Sequence, residues 1–138
     1  MKLRSTNNND LQVLAEMNFQ LIKDEGHRNT MQIPELKKRM EGWLCSIYQS
    51  SIIEEADNVI GYALWREEKD FLYLRQFFIK PNMRRKNYGK NAIDFLINNE
   101  WEGKDLRLEV LVKNKSAQAF WNAVGFKEYC LTMEMKNA

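Results

Sequence analysis

Ile79-Lys80-Pro81-Asn82-Met83-Arg84-Arg85-Lys86-Asn87-Tyr88-Gly89-Lys90 is the stretch on which the reading of this chain turns. Before it, Phe71–Ile79 is a run rich in aromatic and β-favouring residues. After it, Ala92, Ile93, Leu96 and Ile97 recur at helical spacing. The stretch is therefore a strand-to-helix connection, and it carries Lys80, Arg84, Arg85, Lys86 and Lys90 with no acid among them. A helix N-terminus presents unpaired N–H groups and a partial positive charge. Gly89 allows close backbone approach, and cations surround it. A pyrophosphate needs these features; a plain helix start behind a solvated basic loop has them too. The stretch is not a P-loop, since GxxxxGK[ST] is absent, and not a dinucleotide fingerprint, since it holds one glycine.

Working outward toward the N-terminus, Asn9 or Asp10 suits the cap of a helix carrying Leu11, Leu14, Met17, Leu21 and Ile22, which should stop near Gly26. Pro34 fits the first turn of a second helix with Leu36, Met40, Trp43 and Leu44 on one face. Ser46–Glu54, Val59–Arg66 and Phe71–Ile79 read as three strands, with turns at Asp57-Asn58 and Glu67–Asp70, so two antiparallel hairpins are expected. Toward the C-terminus, Leu106, Leu108, Val110 and Val112 alternate as a half-buried strand should. Ser116 can cap a helix carrying Ala117, Phe120, Trp121 and Val124, which ends at Gly125. Lys127–Met135 reads as a last strand. The order strand, helix, helix, three strands, helix, strand, helix, strand gives a mixed α/β domain with one central sheet.

The chain has 138 residues, enough for one domain with one core, so residues 1–138 are expected to fold as a unit. Its 44% hydrophobic and 29% charged residues are an ordinary globular balance. No apolar run approaches the ~18 residues of a membrane helix, and the N-terminus has no apolar leader, so a cytoplasmic protein without membrane contact is expected. A net charge of +2 gives no global nucleic-acid footprint, and the basic residues do not extend along a face. Cys45 and Cys130 form no CxxC pair and suit reduced, buried, structural roles. One histidine and two scattered cysteines provide no zinc spacing, so no metal is expected.

Two motifs carry a family resemblance. Ile79-x-Pro81-x-x-Arg84-x-x-Asn87-x-Gly89 resembles the pyrophosphate loop of the Gcn5-related N-acetyltransferases (GNAT), whose core is Gln/Arg-x-x-Gly-x-Gly/Ala. Asn87 replaces the first glycine, and asparagine tolerates positive φ better than most residues. Leu108-Glu109-Val110, then Asn114-x-x-Ala117-x-x-Phe120-Trp121-x-x-x-Gly125-Phe126, resembles the C-terminal signature N-x-x-A-x-x-F-Y-x-x-x-G-F. Each motif alone is moderately specific; both, in order and correctly spaced, are strong, and together they span Ile79 to Phe126.

The resemblance implies a twisted, mostly antiparallel sheet with one splayed parallel strand pair, flanked by about four helices. It implies acetyl-coenzyme A as co-substrate and transfer of its acetyl group to an amine by direct attack. The backbone of Arg84, Arg85, Lys86, Asn87, Tyr88, Gly89 and Lys90 would grip the pyrophosphate, and Lys80, Arg85 or Lys86 would meet the 3′-phosphate. Phe77, Phe78 and Ile79 would lie against the pantetheine arm, with the Phe77 N–H aimed at the thioester oxygen. Asn114 would orient the arm, with Ala117, Phe120 and Trp121 alongside. The chain departs from the family at two catalytic positions. Trp121 stands where a tyrosine often protonates the leaving thiolate, and an indole N–H is no usable acid; Tyr88 and Tyr129 are substitutes. Tyr73 stands where many relatives carry a strand glutamate as base. Glu109 on the neighbouring strand is a second candidate, though a structural pair with Arg75 or Arg107 is the simpler expectation. The turn after the first helix offers Asp24 and Glu25 to attract a cationic amine and His27 to accept its proton. Polyamines, aminoglycoside-like amines, amino acids and protein N-termini all remain open as acceptors, with the compact chain favouring a small molecule. A homodimer through apolar residues of the last strand is conceivable. The rival reading is a coenzyme-binding module that has lost catalysis.

Overall fold

The computed structural model describes residues 1–137. Five strands form one sheet in sequence order: β1 (Lys2–Ser5), β2 (Tyr48–Glu55), β3 (Asn58–Glu67), β4 (Leu72–Ile79) and β5 (Leu106–Arg107). Four helices flank it: α1 (Leu11–Glu25), α2 (Ile33–Leu44), α3 (Tyr88–Asn99) and α4 (Lys115–Val124). β1 through β4 pair antiparallel, and β4 and β5 pair parallel. This is the mixed α/β architecture expected from the element order.

Residue alternation along the strands builds a core on each face of the sheet. Tyr48, Ile52, Tyr62, Leu64 and Phe78 face one way and bury Leu14, Met17 and Leu21 of α1 and Met40 of α2. Ala63, Trp65, Leu72 and Leu74 face the other way, against Ile93 and Leu96 of α3 and the fully buried Trp101. At the foot of β4, Leu64 pairs with Gln76 but Trp65 with Leu74, so Arg75 is an extra, unpaired residue. Such a bulge bends a strand and re-aims side chains; here it brings Arg75 and Gln76 to the α1–α2 side.

Several local expectations need correction. Helix α1 is entered through a one-turn 3-10 helix, Asn8–Asp10, and the cap is Asn7. The Asn7 side chain accepts from the Asn9 N–H at 2.9 Å, and Asp10 accepts from the Asn7 N–H at 2.8 Å. Asp10 also receives both arms of Arg4 at 2.9 Å, which ties β1 to the helix start. Asn114, not Ser116, caps α4 by accepting from the Ala117 N–H at 3.3 Å. The β2–β3 turn falls on Ala56-Asp57, both at positive φ (49° and 65°), because a two-residue loop that matches strand twist requires it.

β5 is only two residues long, and Lys127–Met135 is not a strand. Its alternation is real, with Tyr129, Leu131, Met133 and Met135 all exposed. However, among the described residues no neighbouring strand offers a ladder, and a strand exists only where its backbone groups find partners. Cys45 and Cys130 are exposed rather than buried. Cys45 sits at the end of α2, where its N–H bonds the Glu41 carbonyl, and Cys130 lies in the segment outside the sheet.

Candidate active site

β4 and β5 are paired only through Leu72–Leu106 and Tyr73–Arg107. Beyond that the two strands part, leaving a notch flanked by Leu74–Ile79 on one side and the chain from Leu108 on the other. One hydrogen bond spans its base, from the Tyr73 hydroxyl to Glu109 Oε1 at 2.6 Å. The expected pairing of Glu109 with Arg75 or Arg107 is not formed. Burial, followed by the Glu109 carboxylate, pushes the Tyr73 hydroxyl up to about 12.

The direction of the Phe77 N–H follows from the ladder. The Lys80 N–H donates to the Ile60 carbonyl of β3 at 2.7 Å. In an antiparallel pair, N–H groups point alternately toward and away from the neighbour. With Phe78 opposite Tyr62 and Phe77 opposite Ala63, the N–H groups of Phe78 and Gln76 point to β3. Those of Phe77 and Ile79 point into the notch.

The aromatic side chains divide between the two faces. Phe77 packs with Phe120 and Trp121, its ring stacked on Phe120 at 6.2 Å and edge-on to Trp121 at 5.6 Å. Trp121 in turn meets Phe126 at 5.2 Å. Together these rings line the α4 side of the notch. Phe78 is buried on the opposite face, 6.2 Å from Tyr62, so its side chain belongs to the α1 core, and its N–H points to β3 rather than into the notch. Asn114 Oδ1 is occupied by the Ala117 N–H and the Ser116 hydroxyl, both at 3.3 Å. Its amide nitrogen keeps two donors.

The basic loop continues from the end of β4 into α3. Asn87 immediately precedes the helix at φ 65°, ψ 9°. It adopts the left-handed conformation for which a glycine would be the easier residue. Its side chain makes no cap bond, so the first N–H groups of α3 are left facing outward. Arg85 is also at positive φ, 63°. A Cβ on Gly89 would stand 3.1 and 3.2 Å from ring atoms of Phe120, so packing against α4 favours glycine there. Arg85 and Lys86 are exposed and form no ion pair among the described residues. Lys90 pairs with Asp94 at 3.1 Å. Arg84 is differently engaged. Its Nε donates to the Ile79 carbonyl at 2.7 Å and its Nη2 to Asp24 at 2.5 Å, with the guanidinium 5.3 Å from the Phe78 ring centroid. The side chain thus clamps the end of α1 to the end of β4.

That clamp brings the turn after α1 to the sheet. Gly26 (φ 71°) ends the helix, with its N–H bonded to the Ile22 and Lys23 carbonyls. Desolvation, reinforced by the neighbouring Asp24, pushes the Glu25 carboxyl up to about 7. His27 Nε2 lies 3.5 Å from Glu25 Oε1 and is largely exposed. Burial, followed by the Glu25 charge, raises the Tyr62 phenol well above its usual range, and its hydroxyl donates to Gln76 Oε1 at 2.7 Å. Gln76 is the residue before Phe77. A titratable carboxyl near neutrality and a notch-facing N–H therefore sit at the same end of β4. The sequence suggested Glu25 by its loop position. The Tyr62–Gln76 link has no signal in the sequence, because no motif joins residues that meet only across paired strands.

Among the described residues, no helix is long and apolar enough to cross a membrane. The sequence model of the acetyltransferase (GNAT) family matches residues 15–126. No curated protein sequence matches the chain. Among solved structures, a possible acetyltransferase from Clostridium difficile 630 superimposes with a TM-score of 0.77 at 19% identity, covering 99% of this chain and 97% of that one. A predicted acetyltransferase from Clostridium acetobutylicum, solved with acetyl-CoA, gives 0.75 at 18% identity, covering 98% and 95%. The aminoglycoside N-acetyltransferase AAC(6')-Iy, solved with CoA, gives 0.77 at 16%, covering 99% and 93%. With the family model spanning most of the chain, and the splayed strand pair and its basic loop where that fold carries them, this protein belongs to the acetyltransferase (GNAT) family.

Proposed function

We propose that the chain, acting as one domain over residues 1–138, is an acetyl-CoA-dependent N-acetyltransferase acting on a primary amine of a small molecule. The observation that carries this reading is the Phe77 N–H directed into the β4–β5 notch of the splayed strand pair, with the raised carboxyl of Glu25 as the candidate base. The outward N–H groups at the start of α3 hold the pyrophosphate, and Arg85 or Lys86 meets the 3′-phosphate. The pantetheine arm follows β4 past Phe77, Phe120 and Trp121, and the Asn114 amide donates to it. Glu25, with His27 at its edge, takes the proton of the acceptor ammonium. The freed amine nitrogen attacks the thioester carbon, and the Phe77 N–H stabilises the oxyanion; one such donor contributes several kcal/mol. The C–S bond then breaks, and coenzyme A departs as a thiolate, feasible for a thiol of pKa near 8.5. Trp121 walls the acetyl site and donates no proton.

A small-molecule acceptor is favoured by the likeness to structures whose names describe aminoglycoside N-acetyltransferases. A cytoplasmic setting agrees with there being, among the described residues, no helix long and apolar enough to cross a membrane. Self-association through the exposed Tyr129, Leu131, Met133 and Met135 would give that segment a strand partner.

The rival reading, a module that binds coenzyme without turning it over, rests on Trp121 and Tyr73 at the usual acid and base positions. The raised carboxyl of Glu25 favours catalysis. Free-thiol release from acetyl-CoA over a panel of primary amines decides between them. Amine-dependent release that drops at least a hundredfold in Glu25→Gln, with unchanged coenzyme affinity, supports the enzyme. Tight coenzyme binding with no release for any amine supports the module.

A further inference from the structure

Two cations on the α1–α2 side of the sheet have no counter-ion. Arg39 of α2 and Arg75, the bulged residue of β4, share one indole, their guanidinium carbons 4.3 and 4.6 Å from the Trp43 ring centroid. Arg75 also donates to the Tyr48 hydroxyl at 3.1 Å. Arg39 donates to Asn18 Oδ1 at 3.3 Å, and its Nε is buried without any hydrogen-bond partner. Among the described residues neither guanidinium forms a salt bridge. The contrast with their neighbours is direct. Arg66, which also reaches Tyr48, is neutralised by Glu68. Glu109, the carboxylate at the notch, is held by Tyr73.

Partial burial of a charge is costly unless it is paired, and an unsatisfied buried N–H adds to that cost. Desolvation, and then the Arg75 charge, lowers the pKa of Arg39, as expected for like charges held close. The bulge at Arg75 keeps this arrangement by turning the side chain onto Trp43 and Tyr48. The site also adjoins the reacting end of β4: Arg75 directly precedes Gln76, which accepts from the Tyr62 hydroxyl at 2.7 Å, and Phe77 follows.

We propose that the acceptor carries an anionic group, a carboxylate or a phosphate, which binds between Arg39 and Arg75 on the Trp43 face and directs its amine toward Glu25. A guanidinium offers a planar fork of donors suited to either anion. The anion takes Arg39 Nη1 and Arg75 Nη2, which make no hydrogen bond among the described residues, and relieves the repulsion between the two cations. A polycationic acceptor meets two like charges there instead. This inference rests on the acetyltransferase reading for its amine, while the anion site itself is testable without turnover.

The test titrates the protein saturated with coenzyme A, which cannot transfer an acetyl group. The ligands are four linear primary amines of equal length ending in a carboxylate, a phosphate, a carboxamide or a second amine. At least one anionic amine binds tenfold or more tightly than the carboxamide, and the diamine binds weakest. Which anion leads separates carboxylate from phosphate recognition. Arg75→Gln, at an exposed bulge, and Arg39→Gln each remove at least tenfold of that preference. The inference is overturned if the diamine binds best, if no anionic amine binds at millimolar concentration, or if the preference survives in both variants. Thiol release with acetyl-CoA on the same ligands reports on the enzyme reading separately. Anion-selective binding without release defeats the enzyme and keeps the anion site; release with the diamine alone does the reverse.

Discussion

Glu25→Gln separates stability from catalysis at one carboxyl. The folded protein raises that group from 4.5 to about 7, by desolvation first and by Asp24 second. At ~1.4 kcal/mol per pH unit this corresponds to at most about 3.5 kcal/mol. The side chain keeps 30% of its surface exposed, and solvent screening reduces the figure to about 1–2 kcal/mol. The sign follows from linkage: a carboxyl whose folded pKa is raised binds its proton more tightly in the native state. Its stabilising effect is complete below pH 4.5 and is lost as pH rises to about 7. Glutamine has no charge to bury. The variant therefore melts roughly 3–8 °C above wild type at pH 8 and within about 1 °C of it at pH 4. In the proposed mechanism the same change removes the base, so kcat/KM falls by about 10²–10⁴ and loses its dependence on a group titrating near 7. Melting curves at the two pH values, beside a pH–rate profile, read both effects. A variant no more stable than wild type at pH 8 would refute the shielded carboxylate, and an unchanged pH–rate profile would refute its role as base.

Asp24→Asn removes the second cause of the Glu25 shift and the Arg84 clamp, so the acid limb of the pH–rate profile moves below 7 while the melting temperature falls by only a few degrees. Gly89→Ala drives a methyl against the Phe120 ring, which stacks on Phe77, and weakens acetyl-CoA about tenfold by calorimetric titration. Asn87→Gly keeps coenzyme affinity and stays within about 1 kcal/mol of wild type by denaturant unfolding, whereas Asn87→Val, forced into a left-handed conformation, loses about 1–2 kcal/mol. Ala56→Asn relieves positive φ in the β2–β3 turn and gains about 0.5–1 kcal/mol in the same assay.

What was legible in the sequence, and what was not, has physical causes. The sheet, both helix pairs and the basic loop follow from local periodicity and turn chemistry. Asn87 is readable because only a few residue types occupy its left-handed conformation readily. The last strand is misread because alternation reports a suitable pattern, and a strand also needs a partner ladder, which Tyr129–Met135 does not have. Arg84 looks like a phosphate ligand among other cations. Only the fold reveals that Asp24, sixty residues earlier, already holds it. Phe77 and Phe78 look equivalent as neighbours, yet strand alternation sends one ring to the notch and the other to the α1 core. The meeting of Arg39 with Arg75 depends on a bulge visible only in the β3–β4 register.

In the proposed function the splayed β4–β5 notch and its loop bind acetyl-CoA. Thermal melting with and without excess acetyl-CoA, with adenosine 3′,5′-bisphosphate as a partial ligand, tests it most directly. At a hundred times the dissociation constant, acetyl-CoA stabilises by about 2.7 kcal/mol, a rise of roughly 7–13 °C, and the bisphosphate gives a smaller one. No rise at millimolar acetyl-CoA would contradict the account, for it would mean that the loop around Asn87 and Gly89 does not form a coenzyme site.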